Sequence, residues 1–141
     1  MLRDAVDSPG EQTPEELREI YDELLVETVR TVGPDEVTEA PGVDEQQVDA
    51  LLADESPSLT LEEAAAILAA SDDRPDADTV AAEARDILLM GMSMAVLDVE
   101  ALASGIDDRM DPKEIQQKVE GRYPMALDEY AVMHSYIEQR R

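Results

Sequence analysis

The chain has no cysteine, no phenylalanine and no tryptophan among its 141 residues. Without cysteine it can form neither a disulfide nor a thiolate metal site. Its apolar residues, 43% of the chain, are mostly Ala, Leu, Val, Ile and seven Met, and four Tyr are its aromatic residues. Small aliphatic side chains bury less area each than aromatic ones, which favours closely packed helices over a large open pocket.

Positive charge is also scarce. The sequence holds 35 Asp and Glu against 11 Lys and Arg, a net charge of −24, and Lys113 and Lys118 are its two lysines. Abundant acids with few lysines and no cysteine are typical of cytosolic proteins of salt-loving archaea. Molar salt shortens the Debye length to about 3 Å, so neighbouring carboxylates hardly repel each other. The composition therefore predicts a halophilic protein, and an acidic protein of a mesophile is the alternative.

Long apolar runs are missing as well. The first ten residues include Arg3, Asp4 and Asp7 and do not resemble a signal peptide. The longest apolar stretch, residues 87–97, is shorter than the roughly 18 to 20 residues that span a bilayer. We therefore expect a cytoplasmic protein that does not enter a membrane.

Most of the remaining sequence has the apolar spacing of helices. Residues 1–12 lack this period and are predicted to form a mobile arm. Thr13, Pro14 and Glu16 have the order of a helix start with a capping box, and Gly33-Pro34 ends that helix. Two later helix starts have the same spacing, Asp44 with Gln47 and Thr60 with Glu63. Further helices are predicted at 35–40, 44–52, 61–70, 77–94, 98–104, 111–121 and 127–139. No segment is convincing as a strand, so the predicted class is all-α.

The order of these helices repeats. A shift of 67 positions aligns residues 43–57 with 110–124, and after one deletion L-T-L-E-E-A-A at 59–65 aligns with M-A-L-D-E-Y-A at 125–131. Chance can produce the apolar spacing alone, but shared helix starts and prolines in the same order favour a duplication. The sequence therefore predicts two tandem four-helix units, 13–73 and 74–141, packed into one compact body.

One segment of the first unit carries a turn pattern. Residues 37–48, V-T-E-A-P-G-V-D-E-Q-Q-V, contain an apolar position, a glycine turn and an aliphatic residue six positions after the glycine. On this pattern each unit resembles the helix-turn-helix domain of phage repressor and Cro proteins. Thr38 stands where that family usually has Ala, and the second turn is longer, between Gly105 and Asp111. The whole chain is similar to a haloarchaeal family of acidic proteins of unknown function, which implies no activity.

Charge decides whether such a unit can bind DNA, because Lys and Arg must replace the counterions of the phosphates. Residues 31–73 contain twelve acids and no basic residue, so the first unit should repel DNA. In the second unit the candidate contact residues surround one helix: Arg109, Lys113, Gln116, Gln117, Lys118 and Arg122. The favoured interpretation is a solvated helix face on which the two lysines offset neighbouring acids. Contact of these residues with an acidic protein surface is the second option, and contact with nucleic acid is the third.

The segment L-L-M-G-M-S-M at 88–94 is rich in methionine. Helical spacing places Met90 and Met94 on one face and Met92 on another, and Gly91 permits a close approach of a second helix. Methionine adapts to irregular cores and to contact surfaces. We expect this segment to pack between the two units, and a dimer interface is the alternative.

No catalytic or metal-binding pattern is recognisable. The sequence has no nucleophilic Cys, no Gly-x-Ser-x-Gly turn and no glycine-rich phosphate loop. His134, the single His, precedes Glu138 by four residues and is expected to pair with it on the helix surface. We therefore expect no enzyme activity, no metal and no cofactor. The predicted function is a non-catalytic interaction or regulatory protein that binds a protein partner or itself. The alternative is a DNA-binding transcriptional regulator that uses the second unit.

Overall fold

The computed structural model describes residues 12–141, and within them the fold is all-α, as predicted. No strand occurs among these residues, and an isolated β-bridge joins Thr60 to Ala126. The predicted mobile arm, 1–12, lies outside the described residues except for Gln12. The helices of the described part are α1 (Pro14–Val32), α2 (Pro34–Glu39), α3 (Glu45–Leu52), α4 (Leu61–Leu68), α5 (Ala77–Met94), α6 (Val99–Gly105), α7 (Pro112–Val119) and α8 (Leu127–Arg140).

Side-chain caps begin several of these helices. Thr13 and Glu16 close a capping box at α1, with hydrogen bonds of 3.1 and 3.0 Å, and Thr60 and Glu63 close another at α4. Both boxes were predicted from the sequence and are confirmed. Gln47 does not complete a box at α3. Its amide donates to Glu63 at 2.8 Å and so links α3 to α4.

The core lies among four helices, α1, α4, α5 and α8, and forms one continuous cluster of buried apolar side chains. Helix α1 packs on α8, and α4 packs on α5, while the pairs α2–α3 and α6–α7 flank this group. Tyr21 and Tyr130 are its largest fully buried side chains. The predicted boundary at residue 73 falls in the connector before α5, and residues on both sides of it share this single core.

The two halves meet at a short pair of extended segments. Leu61 N donates to Met125 O at 2.7 Å, and Leu127 N donates to Leu59 O at 2.8 Å. The predicted alignment pairs 59 with 125 and 61 with 127, so each hydrogen bond is the counterpart of the other. The duplication itself stays a prediction, because similar geometry alone does not demonstrate a common origin.

Two buried arginines join the halves. Arg18 of α1 donates to Asp128 of α8 at 2.7 Å, and Arg85 of α5 pairs with Glu62 of α4. The arginine side chains are 9% and 11% exposed. The arginines are 67 positions apart and the acids 66, so the two pairs occupy corresponding places. Each long helix is therefore fixed to the first turn of a helix in the other half, where a carboxylate also interacts favourably with the helix dipole.

Additional acceptors complete both arginine sites. Arg18 also donates to Asp22 at 3.0 Å and to the carbonyl oxygen of Pro57. Arg85 Nε donates to the carbonyl oxygen of Lys118 at 2.8 Å. A buried cation needs such a set of acceptors, because an incompletely paired one would lose the hydration it had in water.

We expect Arg18→Ala to lower the free energy of unfolding by about 2–4 kcal/mol, because it removes three hydrogen bonds and the packing of a side chain that is 9% exposed. Arg30→Ala is the matched control on the same helix, since Arg30 is exposed; its effect should stay within about 0.5 kcal/mol. Denaturant unfolding in molar salt measures both. Equal effects of the two substitutions would contradict a structural role for Arg18.

Candidate interaction surfaces

Helix α7 carries most of the predicted contact residues. Asp111 caps it by accepting a hydrogen bond from Glu114 N at 2.8 Å, and Pro112 occupies its first turn. Ile115 and Val119 are buried, 0% and 3% exposed. Because these two residues fix the inner face of α7, other positions along the helix face outward or sit at its edges.

Lys118 points inward rather than toward a partner. Its Nζ donates to Glu114 at 2.7 Å and to Glu129 at 2.6 Å, and its side chain is 15% exposed. Burial lowers the pKa of Lys118, but the hydrogen bonds and charges of the two carboxylates outweigh burial and raise the pKa above its ordinary value. Lys118 is therefore charged, paired with two acids and attached to α8. For Lys118 the structure agrees with the interpretation in which a lysine offsets neighbouring acids.

The other predicted residues remain at the surface. Arg109, Lys113 and Gln116 are exposed, and Gln117 is half-buried. Within residues 12–141, neither Arg109 nor Lys113 has an ion pair. The side chain of Arg122 is 70% exposed, with its Nε 3.5 Å from a carboxylate oxygen of Glu120. We call Arg109, Lys113, Gln116, Gln117, Arg122 and Tyr123 the α7 surface.

Tyr123 was missed by the sequence analysis. It is 55% exposed and lines a shallow recess of about 330 Å³ together with Gln117 and Pro124. An exposed tyrosine beside an arginine is a common feature of protein contact sites. The available signal was its position between Arg122 and Pro124, outside the apolar period of any helix.

The first half presents an acidic groove between α1 and α3. The groove has a volume of about 570 Å³, and its acids are Glu19, Asp22, Glu23, Glu27, Asp54 and Glu55. Arg30 also lines the groove. The groove concentrates negative charge on the first half, and repulsion of phosphate by this half stays a prediction.

A third surface lies at the C-terminal end of α5. Met92 is buried at 7% exposure, and a Cβ built on Gly91 would lie 2.6 Å from Ile137 Cγ2. The close helix approach at Gly91 and the core position of Met92 are confirmed. Met90 and Met94 are 55% and 60% exposed, so the prediction that they pack in the core is wrong. Helix α8 contacts α5 at Gly91, and the exposed side chains of Met90 and Met94 lie to one side of this contact.

Two more apolar side chains extend this surface. Leu89 is 41% exposed, and Val96, in the turn after α5, is 90% exposed. Val96 has a φ of 55°, and among residues 12–141 the other non-glycine residues with positive φ are Asp54, Asp107 and Asp108. A β-branched residue is strained in this left-handed conformation, where glycine is usual. We call Leu89, Met90, Met94 and Val96 the α5 surface.

Comparison with known proteins assigns the chain to a family. A family model described as a family of unknown function (DUF5791) matches residues 17–140. The chain belongs to DUF5791. The match covers both predicted units, from α1 to the end of α8. No curated protein and no solved structure matches the chain. The resemblance to repressor helix-turn-helix domains and the haloarchaeal origin stay predictions.

The described part of the DUF5791 chain, residues 12–141, contains no group of three or more His, Asp or Glu side chains placed to hold a metal ion. No single helix in that range is long and apolar enough to cross a membrane. Helices α5 and α6 meet the length and composition criteria together, but they form an angle of 95°.

His134 lies inside the DUF5791 fold, not on the helix surface as predicted. It is 3% exposed, with Nδ1 2.8 Å from Tyr21 Oη and Nε2 3.9 Å from Glu138. Burial, with a smaller contribution from Tyr130, raises the pKa of Tyr21, so its hydroxyl stays protonated and shares a hydrogen bond with Nδ1. Burial lowers the pKa of His134; Glu138 raises it and Arg141 lowers it. The helical spacing of His134 and Glu138 was read correctly, but the packing of α1 against α8 encloses the ring.

We expect protonation of His134 to destabilise the fold. The pKa of His134 is lower in the folded state than its ordinary value of 6.5. The neutral ring therefore contributes fully to the free energy of unfolding above pH 6.5, and this contribution is lost as the pH falls from 6.5 toward the folded pKa. His134→Gln, which retains an acceptor for Tyr21, removes the titration. The difference in unfolding free energy between wild type and variant should therefore shrink from about pH 8 to about pH 5. A constant difference across this range would contradict the assignment.

Proposed function

We propose that this DUF5791 protein is a non-catalytic interaction protein that binds a protein partner through the α7 surface. The observation that carries the proposal is that Arg109 and Lys113 are exposed and have no ion pair within residues 12–141, in a chain where acids outnumber bases by 24. Tyr123 adds an exposed aromatic ring and Gln116 an exposed amide beside them. Cations, amides and one aromatic ring suit a partner whose contact surface is acidic and polar.

The charge of the α7 surface also bears on the alternative, a DNA-binding regulator that uses the second unit. Arg109, Lys113 and Gln116 are exposed around α7, as that alternative requires. Lys118, however, is occupied by two carboxylates, and Arg122 lies near Glu120. Too few cations therefore remain to replace the counterions of several phosphates. This argument favours a protein partner and units whose DNA-reading role is degenerate.

Binding assays with matched variants test the proposal. Lys113→Glu should abolish capture of the partner from salt-adapted cytosol, because it reverses a charge at the centre of the α7 surface. Arg30→Glu is the control, since it makes the same charge change at an exposed position of α1, far from α7 in the sequence. The proposal fails if capture is insensitive to Lys113→Glu or equally sensitive to both. Retardation of random duplex DNA in molar KCl, lost in Lys113→Glu, would instead support the DNA-binding alternative.

We further propose that the protein is halophilic and cytoplasmic, on the basis of its net charge of −24 and its two lysines. At low ionic strength the exposed carboxylates repel each other across the fold, and molar salt screens this repulsion. The thermal midpoint should therefore rise steadily from low salt to molar KCl. A midpoint that stays constant or falls over this range would rule out the halophilic assignment.

A further inference from the structure

The α5 surface lies in the longest apolar stretch of the sequence. Residues 87–97 contain eleven consecutive uncharged residues, and Asp86 and Asp98 flank them. The described residues that are large, apolar and more than about two-fifths exposed are the four of the α5 surface and Tyr123 of the α7 surface. The α5 surface is thus a concentration of exposed apolar area in an otherwise acidic protein.

The fold does not require apolar residues at these places. The shift of 67 positions that relates Arg18 to Arg85 also relates α1 to α5. Leu89, Met90 and Met94 of α5 then correspond to three acids of α1, which are Asp22, Glu23 and Glu27. Glu23 and Glu27 are exposed, as are Met90 and Met94. The same helix position is therefore acidic and solvated in one half and apolar in the other. Solvation of the helix explains the acids but not the methionines.

The conformation of Val96 points the same way. A left-handed residue at a helix end is normally glycine, and valine there costs stability without filling the core, because its side chain is 90% exposed. The backbone closes the turn with hydrogen bonds from Val96 N to Ser93 O at 3.2 Å and from Leu97 N to Met92 O at 2.8 Å. The turn thus holds an apolar side chain outward, next to the methionines.

We propose that the α5 surface binds the α5 surface of a second copy of this chain, in a two-fold symmetric dimer. The charge of the protein indicates which partner binds this surface. Two copies with a net charge of −24 repel each other wherever acids face acids, and the α5 surface is uncharged on both. A cationic partner would be attracted to the acidic groove between α1 and α3 instead. Arg141, which reaches Met94 Sδ at 2.9 Å, lies at the edge and is paired there with Glu138 at 3.0 Å, so this edge carries one balanced ion pair.

The size of the surface sets the strength of the dimer. Its four residues cover about two helical turns, or roughly 11 Å, whereas a stable interface buries about 800 Å² on each partner. We therefore expect a weak dimer, with a dissociation constant on the order of 0.1 mM in molar KCl. Association should strengthen with salt, because salt screens the repulsion between the copies and favours burial of apolar surface.

This dimer is independent of the proposed partner at the α7 surface, since it rests on different residues and is measured on the purified protein alone. Sedimentation of the wild type at increasing concentration in molar KCl should show a monomer–dimer equilibrium. Met90→Glu plus Met94→Glu, which copies Glu23 and Glu27 of α1, should weaken dimerisation by at least about tenfold.

The control adds the same charge elsewhere. Gln46→Glu plus Ser58→Glu also adds two negative charges, at exposed positions outside α5, and should leave the dissociation constant within about threefold of the wild type. A wild type that stays monomeric up to about 1 mM in molar KCl would overturn the proposal. Equal weakening by both pairs of substitutions would overturn it too, since that result would reflect net charge alone.

A cross-link tests the geometry and does not depend on substitutions that add charge. Because the chain has no cysteine, Ser93→Cys places a single thiol on the exposed side of α5, between Met90 and Met94. In a two-fold dimer through the α5 surface, this thiol lies close to the same thiol of the second copy. Mild oxidation should therefore give a disulfide-linked dimer faster than it does for Gln46→Cys, a control at an exposed position of α3. Equal rates for the two variants would exclude this interface.

Discussion

Three largely enclosed cations join the helices of this acidic chain. Arg18 and Arg85 each join a long helix to the first turn of a helix in the other half, and Lys118 joins α7 to α8 through Glu129. In each case the cation lies against carboxylates that would otherwise repel their neighbours. These bridges carry a structural cost of desolvation, which their several acceptors offset. The single core and the orientation of every surface follow from the helix placement that these contacts fix.

The same use of cations limits what the surface can bind. Of 11 basic residues, Arg18, Arg85 and Lys118 are enclosed in structural pairs, and Arg122 and Arg141 lie against acids, which reduces the number available to a partner. Arg109 and Lys113 are the exposed cations near α7 that have no ion pair within residues 12–141. A phosphate backbone needs many such charges at once, whereas a protein partner needs a few at defined positions.

Local features of the fold could be predicted from the sequence, and inward or outward orientation often could not. The all-α class and two capping boxes depend on neighbouring residues and were predictable. Lys118, His134 and Met90 were misjudged because each lies at a position whose exposure is set by a distant helix. Lys118 meets Glu129, His134 meets Tyr21, and Met90 lies to one side of the contact that α8 makes with Gly91. The 67-residue shift, extended upstream, would have paired Arg18 with Arg85.

The difference between α1 and α5 also determines what kind of assembly this fold can form. If the corresponding faces of α1 and α5 were both apolar, each molecule would have two surfaces able to associate, and copies could join in open chains. The acids Asp22, Glu23 and Glu27 remove that second surface, and only the face with Met90 and Met94 remains. A single uncharged face that meets its own copy closes on itself as a pair. These acids would thereby limit the proposed association to a dimer.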